Sequence, residues 1–115
     1  MDSRGADTCW DILIWTTEEA ELLGIDVNRV AIAGASGGGG LTAALALMAR
    51  DKGGPSIIFQ MPLYPMLDNR NITPSSHEIT EKGAIWNRMD NSAAWNMYLG
   101  EENDGPSTSS KRGLC

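Results

Sequence analysis

Residues 30–49 constrain this chain more than any other stretch. Val30-Ala31-Ile32-Ala33 is a short apolar run of β type. Gly34-Ala35-Ser36-Gly37-Gly38 follows, and Leu41 to Ala49 is an almost unbroken apolar helical run. A strand can pass into a helix over so few residues only through a sharp, strained turn with small residues around it. Glycine is therefore expected at Gly34 and Gly38, where side chains would collide with the strand and the helix. The apex of such a turn lifts the Ser36 hydroxyl clear of the sheet. The helix N-terminus also presents free N–H groups beside it, suited to a developing oxyanion.

Rival readings of a glycine-rich strand-to-helix turn fail on register. A phosphate-binding loop of the Gly-x-x-x-x-Gly-Lys-Ser/Thr kind, started at Gly34, has Gly39 in place but Gly40 where the lysine belongs. The dinucleotide fingerprint Gly-x-Gly-x-x-Gly meets Ser36 at its second glycine when started at Gly34, and Thr42 at its third when started at Gly37. The plainest alternative is a structural turn whose serine only caps the helix. Gly-x-Ser-x-Gly between a strand and a helix instead matches a nucleophile elbow, and points to serine-hydrolase chemistry at Ser36.

Composition narrows the class. With 115 residues the chain holds one domain at most, and a hydrophobic share of 42% argues against general disorder. Asp and Glu number 15 against 9 Lys and Arg, a net charge of −6, with no basic block to suit nucleic acid or an anionic membrane. Cys9 and Cys115 lie far apart, in no metal or redox spacing. No basic-then-apolar leader opens the chain, and no apolar run approaches the ~20 residues a membrane span needs. A cytoplasmic location is the expectation.

Along the chain, Ala6, Cys9, Trp10, Leu13, Ala20 and Leu23 recur at helical steps and predict a helix over residues 6–23, with Glu18, Glu19 and Glu21 toward water and Gly24 as C-cap. Val30 to Ala33 has no polar member, as in a central parallel strand buried on both faces. A helix from about Gly38 to Arg50 is apolar nearly all round and asks for cover on several sides. Asp51-Lys52-Gly53-Gly54-Pro55 reads as a turn and Ile57 to Met61 as a second strand, parallel to the first across a right-handed crossover. Pro62 cannot donate to a ladder. Residues 63–80 read as loop. A last helix is expected from Asp90 to Leu99, with Ala93, Ala94, Met97 and Tyr98 on one side. Trp10, Trp15, Trp86 and Trp95 read as packing residues on helix faces. Residues 101–113 carry no apolar side chain and read as disordered, so the organisation expected is a partial domain over 1–100 and a divergent tail over 101–115.

Several separated motifs resemble the α/β-hydrolase fold-3 group, the carboxylesterases related to hormone-sensitive lipase. They are Arg29 through Leu41, Ala43-Ala44-Leu45-Ala46-Leu47, Phe59-Gln60, Tyr64-Pro65-Met66-Leu67-Asp68, Trp86-Asn87-Arg88, Asn91, Trp95 and Tyr98-Leu99-Gly100. The resemblance spans about residues 7–100. It implies an α/β fold with a parallel sheet and a nucleophile elbow, Ser36 as nucleophile and the Gly37 N–H as one oxyanion-hole donor. It also implies small carboxylic esters as substrates, with no metal or organic cofactor. The family often has Asp before the serine and Ala after it. Ala35 does not touch the chemistry, whereas Gly37 keeps the N–H but loosens the backbone that holds it.

The remaining machinery has no counterpart. The family's His-Gly-Gly segment is not found between Met1 and Ser36, and nothing beyond residue 100 matches its acid and histidine motifs. Triad order in this fold is serine, acid, histidine, each after a later strand. The only histidine, His77, falls in the loop after the second strand and reads as an exposed loop residue. In the Tyr-Pro-x-x-Asp segment Asp68 is implied to be structural, and an Asp68–His77 pair serving Ser36 is the least favoured arrangement. The sequence therefore reads as an internal fragment of an α/β-hydrolase, its character changing after Gly100 as by a frameshift, a mis-called gene end or a natural divergent tail, and inactive or nearly so without a base for Ser36. A second reading is a non-catalytic remnant that binds a partner or itself through open sheet edges.

Overall fold

A computed structural model describes residues 4–100. The chain divides between Met66 and Leu67 into two compact units. The tail expected over 101–115 lies outside the described residues.

The first unit carries α1 (Arg4–Glu18), α2 (Ala20–Leu23), β1 (Val30–Ala35), α3 (Gly37–Asp51) and β2 (Ile57–Leu63). The single helix expected over residues 6–23 is in fact two, parted at Glu19. Gly24 closes α2 in the left-handed region at φ 68, its N–H reaching the carbonyls of Ala20 and Glu21. Leu23 is exposed rather than inward, so the inward stripe is Ala6, Cys9, Trp10, Leu13 and Ala20.

β1 and β2 form a two-stranded parallel sheet, the expected βαβ pairing. The register shifts between Val30 and Ala31, paired with Ile57 and Phe59, so Ile58 is an extra residue on β2. Pro62 does not end the strand. It pairs with Gly34, and β2 runs on to Leu63, whose carbonyl accepts the Ser36 N–H at 3.0 Å. A proline lacks only the donor, so a ladder that uses the next carbonyl survives it.

One face of the sheet is covered. Leu13 of α1 and Leu45 and Ala49 of α3 are buried together, and Cys9, Trp10, Val30, Ile32 and Ile57 pack against them. Trp10 closes the other end of α3. Its ring would meet a Cβ on Gly54 at 2.4 Å, and the Lys52 ammonium lies 4.6 Å from its centroid. The opposite face is bare, contrary to a strand buried on both faces. Ala31, Ala33 and Ala35 are exposed, and their register neighbours Phe59, Met61 and Leu63 are 57%, 42% and 42% exposed. The apolar pattern of β1 is real, but no element of the first unit covers that side. α3 is likewise covered on one side, through Gly39, Gly40, Thr42, Leu45 and Ala49, with Leu47 exposed.

The second unit carries α4 (Pro74–Glu78) and α5 (Arg88–Leu99). α4 lies in the segment read as loop. Thr73 caps it, accepting from the Ser76 N–H, and a proline occupies its first turn, both ordinary helix-start features. α5 begins two residues earlier than expected because Asn87 and Asp90 form a capping box. Its inward side is Asn91, Ala94, Trp95 and Leu99. Ala93, Met97 and Tyr98 are exposed, which corrects the face expected from spacing. Trp95 is buried and meets the edge of Tyr98 at a centroid distance of 6.0 Å. Trp15 is 55% exposed and does not pack as expected, whereas Trp86, 46% exposed, donates its Nε1–H to Asn91 Oδ1 at 3.3 Å.

Among the described residues no helix is long and apolar enough to cross a membrane.

Candidate active site

β1 ends one residue before Ser36 and α3 begins one residue after it. Ser36 itself takes φ 56, ψ −118, a region L-residues rarely enter. Such a residue costs on the order of 1–3 kcal/mol and persists only where its surroundings over-determine it.

The turn is tight on the side of Gly34. A Cβ there would lie 2.2 Å from the Gly38 carbonyl oxygen and 2.7 Å from Thr42 Oγ1. Gly34 is thus required by space, as expected. Gly38 is not, because a Cβ on it meets nothing within 4 Å, and the same holds for Gly37. It is the Gly38 backbone, not its missing side chain, that fills the space beside Gly34. The second obligatory glycine is Gly39, where a Cβ would stand 2.9 Å from the Leu63 carbonyl oxygen and 2.9 Å from Pro65 Cα. In a run of four glycines the sequence does not say which of them touches a neighbour.

The helix N-terminus has the form an oxyanion site needs. The first bond of α3 runs from the Gly40 N–H to the Ser36 carbonyl at 3.2 Å, so the amides of Gly37, Gly38 and Gly39 precede it. Thr42 Oγ1 donates to the Gly38 carbonyl at 2.8 Å, which satisfies a buried hydroxyl and pins the first turn. The Ser36 side chain makes no capping hydrogen bond, so the cap-only reading of this serine does not hold. Ser36 is half-buried and Gly37 exposed, which leaves the turn open to a small molecule.

The other sequence candidates lie in the second unit. Asp68 is occupied by Arg70, whose side chain pairs with both carboxylate oxygens and whose backbone N–H donates to Oδ1 at 2.9 Å. Those hydrogen bonds hold the Asp68 carboxyl down from 3.8 to about 2. His77 is exposed on α4, and no hydrogen bond joins it to Asp68. Asn71, left-handed at φ 57, is the knot of this unit. Its amide donates to Ser92 Oγ at 2.9 Å and to the Arg88 carbonyl at 3.2 Å, and its Oδ1 accepts from Asn91 at 2.9 Å. The Arg88 guanidinium returns to the Asn71 carbonyl at 2.8 Å. Arg88 and Asn91 therefore have a structural explanation within residues 67–100. Among the described residues, no group of three or more His, Cys, Asp or Glu could hold a metal ion.

A parallel βαβ unit with a serine forced into this conformation between strand and helix is the elbow of a hydrolase-type fold. Residues 4–111 match the family described as "alpha/beta hydrolase fold", and the chain belongs to that family. It is 48% identical over 61 residues to carboxylesterase NlhH of Mycobacterium tuberculosis, a match covering 53% of this chain and 19% of that protein. Among solved structures it superposes on a bacterial heroin esterase with a TM-score of 0.80 at 38% identity, over 89% of this chain and 32% of that one. Esterase LipW from Mycobacterium marinum matches with a TM-score of 0.72 at 36% identity, over 83% of this chain and 30% of that one. The chain thus spans about a fifth of the length of the curated relatives it matches.

Proposed function

We propose that Ser36 is the nucleophile of a carboxylic-ester hydrolase, with the Gly37 N–H as one oxyanion donor. The observation that carries this reading is the conformation of Ser36, φ 56 and ψ −118, at the head of α3 with its hydroxyl uncommitted to a cap. The named esterases to which the chain is similar support it. In the reaction, Ser36 Oγ attacks the ester carbonyl and its proton passes to a base. The carbonyl oxygen becomes an oxyanion held by backbone N–H groups, and the alkoxide leaves with a proton. Water then releases the acid from the acyl-serine. The substrates are small esters.

No residue of the first unit pairs with Ser36 as a base, and none of the family's acid and histidine motifs is found in the sequence. The isolated 115-residue chain is therefore inactive or nearly so, since loss of a triad member removes several orders of magnitude in rate. Hydrolysis of a p-nitrophenyl ester by the chain and by Ser36→Ala tests this. Near-identical rates are expected, and a Ser36-dependent rate typical of an intact esterase would overturn it. The same proposal includes a partial hydrolase domain over residues 1–100, a divergent tail beyond it, and a cytoplasmic location, for which the support is compositional.

The bare sheet face favours a second reading. Phe59, Met61 and Leu63 beside Ala31, Ala33 and Ala35 give a non-catalytic remnant the means to associate with a partner or another copy. A phosphonate that labels Ser36 separates the two, because a binding module gives its serine no special reactivity.

A further inference from the structure

Every backbone hydrogen-bonding position of Ser36 is taken, and the helix it begins supplies only one of the partners. Its N–H donates to the Leu63 carbonyl at 3.0 Å, and its carbonyl accepts from the Gly40 N–H at 3.2 Å and from the Met66 N–H at 3.0 Å. The last bond comes from a segment that leaves β2 and turns back at once. Tyr64 makes that turn with φ 35, in the left-handed region, although the residue is 77% exposed and gains little by burial there. The unfavourable backbone of Tyr64 is thus not explained by packing of its ring. Its structural result is to bring Pro65 against α3 and the Met66 amide onto the Ser36 carbonyl. The approach is possible only because Gly39 has no side chain, since a Cβ there would meet both the Leu63 carbonyl oxygen and Pro65 Cα at 2.9 Å.

We propose that residues 64–66 form a backbone brace that holds Ser36 in its strained conformation, with Met66 and Gly39 as positioning residues. Two strained residues are coupled through it: the left-handed turn at Tyr64 delivers the amide that keeps Ser36 from relaxing. This deepens the nucleophile reading, on which its functional meaning rests, but its geometry can be tested without any chemistry at Ser36 Oγ.

The test is nuclear magnetic resonance of the isotope-labelled full chain. In the unaltered chain a scalar coupling across the hydrogen bond between the Met66 nitrogen and the Ser36 carbonyl carbon is expected, together with the HN–Hα coupling and carbon shifts of a positive-φ serine. Gly39→Ala and Tyr64→Val should lower amide-exchange protection at Ser36 and Met66 by roughly tenfold or more while Leu45 in α3 stays protected. Tyr64→Gly, which adopts the turn without strain, should keep both, and so should Gly38→Ala, whose Cβ meets open space. The brace is overturned if Ser36 keeps its positive-φ signature and protection in Gly39→Ala and Tyr64→Val. If those variants unfold, absence of the coupling in the unaltered chain overturns it and presence upholds it. A serine that resists phosphonates yet shows the coupling would sink the nucleophile reading and leave the brace standing.

Discussion

The carbonyl oxygen of Gly38 stands 2.2 Å from the place a Cβ on Gly34 would occupy, so the strand before the elbow and the first turn of α3 meet backbone to backbone. The nearest atoms there are main chain, and the one side chain in reach, Thr42, is itself held to the Gly38 carbonyl, so a methyl group has no room. The conformation of Ser36 is set from this side by Gly34 and from the other by Gly39.

Gly34→Ala should therefore destabilise the first unit by about 3 kcal/mol, at the upper end of overpacking costs because the clash is with main chain. Gly38→Ala, four residues away with open space around it, should be neutral or stabilising by up to about 1 kcal/mol, the usual gain of alanine over glycine in a helix. Urea midpoints of the two variants check this, and equal midpoints would contradict it.

The Arg70 hydrogen bonds make Asp68 more acidic than an ordinary carboxyl, at about 2 against the usual 3.8. A depressed carboxyl stabilises the folded state above its unfolded value and loses that contribution as pH falls through its folded value. The window here runs from just below pH 4 down to about 2. Both partners are substantially exposed, so the effect on stability stays below about 1 kcal/mol. A carbon-detected titration should place the Asp68 midpoint near 2, and Arg70→Gln should return it toward 3.8. An unmoved midpoint in Arg70→Gln would refute the assignment.

The uncovered sheet face predicts self-association. Phe59→Lys with Met61→Lys places charges on two neighbouring positions of the bare face, away from the cluster around Leu13 and Leu45. Sedimentation velocity should show the unaltered chain as associated species at micromolar concentration and the double variant shifted toward monomer. A monomeric unaltered chain with a sharp cooperative melt would count against it.

The elements that rest on local pattern were legible in the sequence. The glycine cap at Gly24, the elbow between β1 and α3, and a second parallel strand over Ile57 to Met61 all follow from short-range chemistry, whereas its continuation through Pro62 to Leu63 does not. What escaped depends on neighbours distant in the chain. Gly38 and Gly39 are alike in sequence, and only the return of Leu63 and Pro65 tells them apart. The bare face of β1 was hidden for the same reason, since Ala31, Ala33 and Ala35 are as apolar as a covered strand requires. α4 was missed because Pro74 and the serines after it serve turns and helix starts equally well. On α5, spacing placed Met97 inside, whereas the large ring of Trp95 decides which side packs.

The central claim is that Ser36 is a hydrolase nucleophile held ready at the head of α3. The most direct test is peptide-mapped mass spectrometry after long exposure of the chain to a fluorophosphonate. Even without a base, the backbone N–H groups at the head of α3 would stabilise the charge that develops as Ser36 Oγ attacks phosphorus, which should favour that hydroxyl over the chain's others. The account predicts slow labelling of Ser36 alone, abolished in Ser36→Ala. Label scattered over the chain's other serines and threonines, with none preferred at Ser36, would contradict it.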